Sequence, residues 1–309
     1  MTENFTREQW DRHEGDTLPK DTLDKAFNKV MTRARATETA DSKAVGSSRS
    51  HRVLRISSMA AAACAVLVAV PWLTLKIHSH IESDGISATA AGAKISLCEV
   101  STRNGEIREL LLPDGSTVSL NAGSVIIYPE KFSDFERQVY LSGEAVFSVV
   151  HSDSAPFTVS TSDLEVMVHG TVFNVDAYPE SPTAAATLCE GSISARVKGV
   201  DEEMTLVPNQ RLSLQRESGE VSVSHVNASE DTAWLRGDMC FRSENIHSIV
   251  RQIERKYGIN VYVTSGKYDS MRLTAKFVHG ESLPKMLRSI CKLVPGMSYE
   301  IKNGCVYIR

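Results

Sequence analysis

The 309 residues contain no GxSxG, HExxH, Walker-loop or dinucleotide fingerprint, so the common hydrolase, zinc-protease and nucleotide chemistries have no local signature. The six cysteines include no CxxC and no His/Cys pairing at zinc spacing. Charge of one sign is also scarce. A formal net charge of −4 gives no bulk electrostatic case for direct nucleic-acid binding, which needs a basic surface. With 42% hydrophobic, 23% charged and 6% aromatic residues, the totals exclude a disordered tail, a collagen-like fibre and a polytopic membrane protein. Length alone suggests two domains.

One long uncharged run is present. Between Arg55 and Lys76, residues 56–75 leave only Ser57, Ser58, Pro71 and Thr74 outside the hydrophobic set. At about 1.5 Å rise per residue such a helix spans roughly 30 Å, the hydrocarbon thickness of a bilayer. A buried core helix of this length would show a polar face, and a signal peptide would lie at the amino terminus, whereas 55 residues precede this run. The reading is a single transmembrane helix. The 25 residues before it carry Arg33, Arg35, Lys43, Arg49, Arg52 and Arg55 against only Glu38 and Asp41. Positive charge stays inside, which predicts a cytoplasmic amino terminus and 234 residues on the far side of the membrane. Five of the six cysteines fall in that outer piece, an odd number read as free, small, buried thiols.

Inside, Leu23, Ala26, Phe27, Val30, Met31 and Ala34 recur at steps of three and four and share one helical face. Asp21 or Thr22 caps its start, and Phe5 and Trp10 form a shorter apolar pair upstream. A 55-residue segment cannot bury that stripe internally. It is either a frayed anchor or a helix that folds into a partner's groove. For a groove, Trp10, Leu23, Phe27 and Val30 are the expected contacts, because aromatic and aliphatic anchors dominate such interfaces. Residues 37–50 turn Ser, Ala and Gly rich, a flexible tether.

Outside, the predicted order is a linker (76–99), an all-β domain (100–228) and a small α+β domain (229–309). Val118–Leu120, Val125–Tyr128, Val139–Leu141, Phe157–Val159 and Leu164–Val168 read as strands. They are punctuated by Pro113-Asp114-Gly115, Asn121-Ala122-Gly123, Ser142-Gly143-Glu144 and Glu190-Gly191. Their spacing fits a roll, a sandwich or a short β-helix. From Met239 the pattern becomes βαββαββ: helical faces start at Ile246 and Leu283, the second capped by Ser282, and Asn303-Gly304 signals a closing hairpin. Asp114 and Glu144 flank turn glycines and read as turn supports. His78 and His80 form an HxH pair without a third ligand nearby, and no carboxylate pair is singled out for catalysis. No enzyme activity, cofactor or metal is expected.

The outer piece resembles a known family. Leu112-Pro-Asp-Gly-Ser116, Leu120-Asn-Ala-Gly-Ser124, Tyr128-Pro129, Arg137 to Ala145, Pro156-Phe157, Gly170-Thr-Val-Phe-Asn-Val175, Thr187-Leu-Cys-Glu-Gly191 and Pro208-Asn-Gln210 stand in series. Together they resemble the periplasmic domain of FecR-type transmembrane anti-sigma regulators. Trp234-Leu-Arg-Gly237 and the βαββαββ unit resemble the carboxyl-terminal domain of such proteins, itself related to the short signalling domains of secretins and TonB-dependent transporters. The resemblance implies a circuit. The inner segment binds an extracytoplasmic-function sigma factor, while the periplasmic part receives a signal from an outer-membrane TonB-dependent transporter. The competing expectation is a membrane-anchored periplasmic binding or scaffold module without sigma control.

Overall fold

A computed structural model describes residues 96–278 and 280–309. The inner segment, the candidate span, His78, His80, His279 and the expected contacts Trp10, Leu23, Phe27 and Val30 lie outside the described residues. Among the described residues no helix is long and apolar enough to cross a membrane.

The first thirteen strands are mostly short, apart from β5, and alternate or cluster apolar residues. They are β1 (Leu97–Ser101), β2 (Arg108–Leu111), β3 (Thr117–Leu120), β4 (Val125–Pro129), β5 (Arg137–Ser148), β6 (Phe157–Ser160) and β7 (Leu164–Val168). There follow β8 (Val172–Ala177), β9 (Thr183–Glu190), β10 (Ile193–Val197), β11 (Glu203–Leu206), β12 (Gln210–Gln215) and β13 (Val221–His225). Sheet I runs β11-β10-β7-β6-β5-β4-β1 and sheet II runs β13-β12-β9-β8-β5-β3-β2. Only the β5–β6 pair is parallel in these two sheets. The inward residues of both sheets form one core, with Phe147 of sheet II tilted against Phe157 of sheet I at 6.1 Å. Each fully buried Val, Leu or Phe there contributes roughly 1.5–3 kcal/mol. The long-range pairing therefore selects the sandwich.

One expected turn is absent. Ser142-Gly143-Glu144 lies inside the continuous strand β5, which pairs through Tyr140–Ser142 with β4 and through Gly143–Ser148 with β8. The glycine lets one strand pass from sheet I to sheet II. Its φ is +112°, and an added Cβ would sit 2.6 Å from the Ser124 Cβ. Glycine marks a strand bend as well as a turn, so the local chemistry is the same for both.

The rest of the chain has its own core. The order is β14 (Met239–Asn245), α2 (Ile246–Tyr257), β15 (Asn260–Val263), β16 (Arg272–Phe277), α3 (Leu283–Leu293), β17 (Tyr299–Lys302) and β18 (Cys305–Ile308). A short helical turn, α1 (Ala228–Asp231), joins it to the sandwich. β14 pairs with β16, and β15-β18-β17 form a second small sheet. The apolar faces of α2 and α3 contribute Ile246, Ile249, Ile253, Met286, Leu287 and Ile290 to the shared core. Asn245 caps α2 by accepting from the Ser248 amide at 2.8 Å. Ser282 stands at the start of α3 but its side chain makes no capping bond. Pro284, in the first turn, removes an orphan donor there instead. Asn303 and Gly304 both have positive φ, as a two-residue primed hairpin turn requires.

Candidate functional site

The Leu112–Ser116 motif builds a structural node. Asp114 Oδ1 accepts from the Ser116 amide at 3.0 Å, and Oδ2 accepts from the Ser116 hydroxyl at 2.7 Å and from Arg137 Nη1 at 2.8 Å. Arg137, only 4% exposed, also donates to the carbonyls of Ala155 and Val150. Asp114 thus supports its turn, as expected, and is in addition the counter-ion of a buried arginine.

Glu144 behaves differently. The turn expected at its own position is absent, and it reaches instead to the Asn121-Ala122-Gly123 turn. It points from β5 on the outer face of sheet II, where Oε2 accepts from Asn121 Nδ2 at 2.7 Å and Oε1 from Asn174 Nδ2 at 3.0 Å. Its cross-strand neighbour on β8 is Asp176, a like-charged pair that a sheet ordinarily disfavours. Burial, reinforced by Asp176, pushes the Glu144 carboxyl up to about 8, against the pull of both amides and of Arg255. Burial raises Asp176 as well, and its Oδ1 is shielded from solvent without a hydrogen-bond partner.

These residues floor a cleft of about 930 Å³ between sheet II and the carboxyl-terminal domain. At one end, Asp231 of α1 accepts from the Thr187 hydroxyl at 2.6 Å and pairs with Arg211 and Arg242. Trp234 Nε1 reaches Asn174 Oδ1 at 3.4 Å. At the other end, Arg255 of α2 pairs with Glu180 at 2.7 Å and stacks over Tyr178. The Gly105 amide donates to the Arg255 carbonyl at 2.6 Å. Gly258, which ends α2 at φ +63°, has no side chain because Asn104 passes there: an added Cβ would lie 3.2 Å from its carbonyl oxygen. The lid contributes a third carboxyl, Glu244, raised mainly by burial and further by Asp176. Sequence reasoning missed this site. Alternation against Phe173 and Val175 places Asn174 and Asp176 on the face away from the core, but no local signal brings Glu144 beside them.

Two sheet edges are also exposed. Among the described strands that end a sheet, only β13 and β15 carry no Asp, Glu, Lys or Arg, the usual protection of an edge. On β15, Tyr262 is 48% exposed and stacks on Tyr307 of β18 at 5.4 Å. The five described cysteines are all free and half-buried, not fully buried.

A carboxyl held near neutrality beside a second one is also what a general acid requires; the known proteins that the chain matches are of another kind. Residues 99–194 match the family described as FecR protein, and residues 238–308 match FecR, C-terminal. Two crystal structures of a candidate anti-sigma factor from Parabacteroides distasonis, at 2.50 Å and 1.65 Å, share 30% identity with the chain. Each covers 69% of this chain and 98% of its own, with TM-scores of 0.66 and 0.65. No functionally curated protein matches the chain. The matched families and structures are regulatory rather than enzymatic.

Proposed function

Because the chain belongs to the FecR family, we propose that it is a transmembrane anti-sigma regulator with one contact on each side of the inner membrane. Residues 1–55 hold an extracytoplasmic-function sigma factor through the face bearing Leu23, Phe27 and Val30, with Trp10 beside it. Residues 56–75 cross the membrane. The domains beyond receive the signalling domain of an outer-membrane TonB-dependent transporter.

The observation that carries this reading is the union of the two FecR-type domains with an orphan apolar helical stripe on the far side of a spanning-length run. A mere anchor needs basic residues but no organised apolar face. For the outer contact, β15 ends its sheet and bears the exposed Tyr262–Tyr307 pair, and a partner strand adding along it would displace the Glu254 carboxylate, which accepts from the Val261 amide at 2.8 Å.

The test is capture of cytoplasmic proteins on the full chain in membranes, followed by mass spectrometry. One sigma factor, retained by the wild type and lost on Phe27→Asp, is the expected result. Equal recovery of a sigma factor by the wild type and by the Phe27→Asp, Val30→Asp double variant would overturn the assigned contact face. Recovery of none would favour the anchored periplasmic module.

A further inference from the structure

The three carboxyls in the cleft come from both of its walls. Glu144 and Asp176 belong to the sandwich, Glu244 to the carboxyl-terminal domain. Around them the floor supplies Asn121, Asn174 and Arg211, and the lid supplies Arg242, Arg251, Arg255 and Arg272. Several of these cations are already engaged: Arg211 and Arg242 pair with Asp231, and Arg255 with Glu180. Among the described residues none of the three carboxyls makes an ion pair. No group of three His, Cys, Asp or Glu there is arranged to hold a metal ion. Proton uptake relieves the like-charge repulsion of the cross-strand Glu144–Asp176 pair, against the pull of Arg211 and Arg255.

We propose that docking of the carboxyl-terminal domain onto sheet II is coupled to proton uptake by the Glu144–Asp176–Glu244 cluster, so that acid closes the two domains and alkali loosens them. Undocking hydrates the floor and carries Glu244 away from Asp176, which removes the burial that raises all three carboxyls. A carboxyl with a higher docked value binds more proton in the docked state. Docking therefore weakens as pH rises from the ordinary 4.5 toward the docked value of about 8 for Glu144, and levels off above it. One linked proton changes the docking equilibrium by about tenfold per pH unit in that window. Arg255 opposes the effect by favouring ionised Glu144, yet the net shift is upward. An outer domain with this property would change its interdomain geometry, and so the surface offered to a partner, with the acidity of its compartment. This goes beyond the proposed regulator role and does not depend on the identity of either partner.

The experiment is hydrogen–deuterium exchange on the full chain in detergent, between about pH 6 and about pH 8, corrected for the pH dependence of intrinsic exchange. The reporter is the Gly105 amide, whose bond to the Arg255 carbonyl joins the two domains. Amides of β5 and α2 inside the two cores serve as references. Protection at Gly105 is expected to fall at least tenfold relative to the references, and the fall is expected to flatten in Glu144→Gln. Glu244→Gln, in the other domain, gives a second, independent flattening should Glu144→Gln disturb the sandwich. A wild type with pH-independent protection at Gly105 would overturn the coupling. So would a full pH response in a folded Glu144→Gln, Glu244→Gln double variant.

Discussion

The guanidinium carbon of Arg255 lies 3.8 Å from the centroid of the Tyr178 ring, and the two residues belong to different domains, Tyr178 just after β8 and Arg255 in α2. The same side chain pairs with Glu180, and its own carbonyl accepts from Gly105. One residue of α2 therefore makes a cation–π contact, an ion pair and a backbone bond to the sandwich.

Replacing Arg255 with alanine should loosen the domains without unfolding either. The stacked guanidinium and its ion pair together suggest a loss of about 1–2 kcal/mol in docking. Differential scanning calorimetry is expected to resolve two transitions in Arg255→Ala where the wild type melts more cooperatively. Arg255→Lys should not restore the single transition, because an ammonium neither stacks flat on the ring nor bridges to Glu180 with a planar fork.

Arg137 presents the opposite case, a charge sealed inside one domain. Its Nη2 already lacks a partner, and among the described residues Asp114 is the carboxylate it pairs with. Removing Asp114 leaves an uncompensated buried cation, which costs about 3–5 kcal/mol. Asp114→Ala should lower the unfolding free energy of the sandwich by that amount. Arg137→Met, which removes the charge with its stem volume roughly kept, should cost less than Asp114→Ala. A larger loss from Arg137→Met would show that the bonds to Ala155 and Val150, not the charge balance, dominate this node.

The two domains differ in how far their sequences announced them. The βαββαββ order is local: each amphipathic face, the Gly258 stop and the Asn303-Gly304 hairpin lie within a few residues of what they determine. The sandwich is not local. Its strands were visible one by one, but β5 sits between β6, β4, β8 and β3 only because of pairings far apart in sequence. The cleft is harder still, since Glu144 meets Asn121 and Asn174 across separations of 23 and 30 residues. Glu144 was read by its glycine neighbour, and that neighbour serves a bend between sheets.

Gly143→Ala tests that bend directly. The new Cβ meets the Ser124 Cβ at 2.6 Å and its Cα at 2.7 Å, in a backbone conformation that an L side chain resists. Strain and overpacking each cost about 1–3 kcal/mol. The variant should therefore lose several kcal/mol in urea unfolding. Ser124→Ala in the same chain should not rescue it, because Cα and Cβ of residue 124 remain.

The last prediction concerns the outer contact. Tyr262 is exposed on an edge strand with no charged residue of its own, so Tyr262→Asp should leave the domain folded, at a cost of about 0.5–1.5 kcal/mol from the lost stack on Tyr307. The same change places a carboxylate on the face a partner strand would cover, and it removes an aromatic anchor. Binding of the proposed partner, a transporter's signalling domain, followed by titration calorimetry, is expected to weaken at least tenfold. Val223 on β13 is the control, since that edge is also uncharged but belongs to the sandwich. Val223→Asp should leave the affinity unchanged. The reverse pattern, loss with Val223→Asp and none with Tyr262→Asp, would move the contact to the sandwich and leave the carboxyl-terminal domain to act through the cleft rather than at the interface.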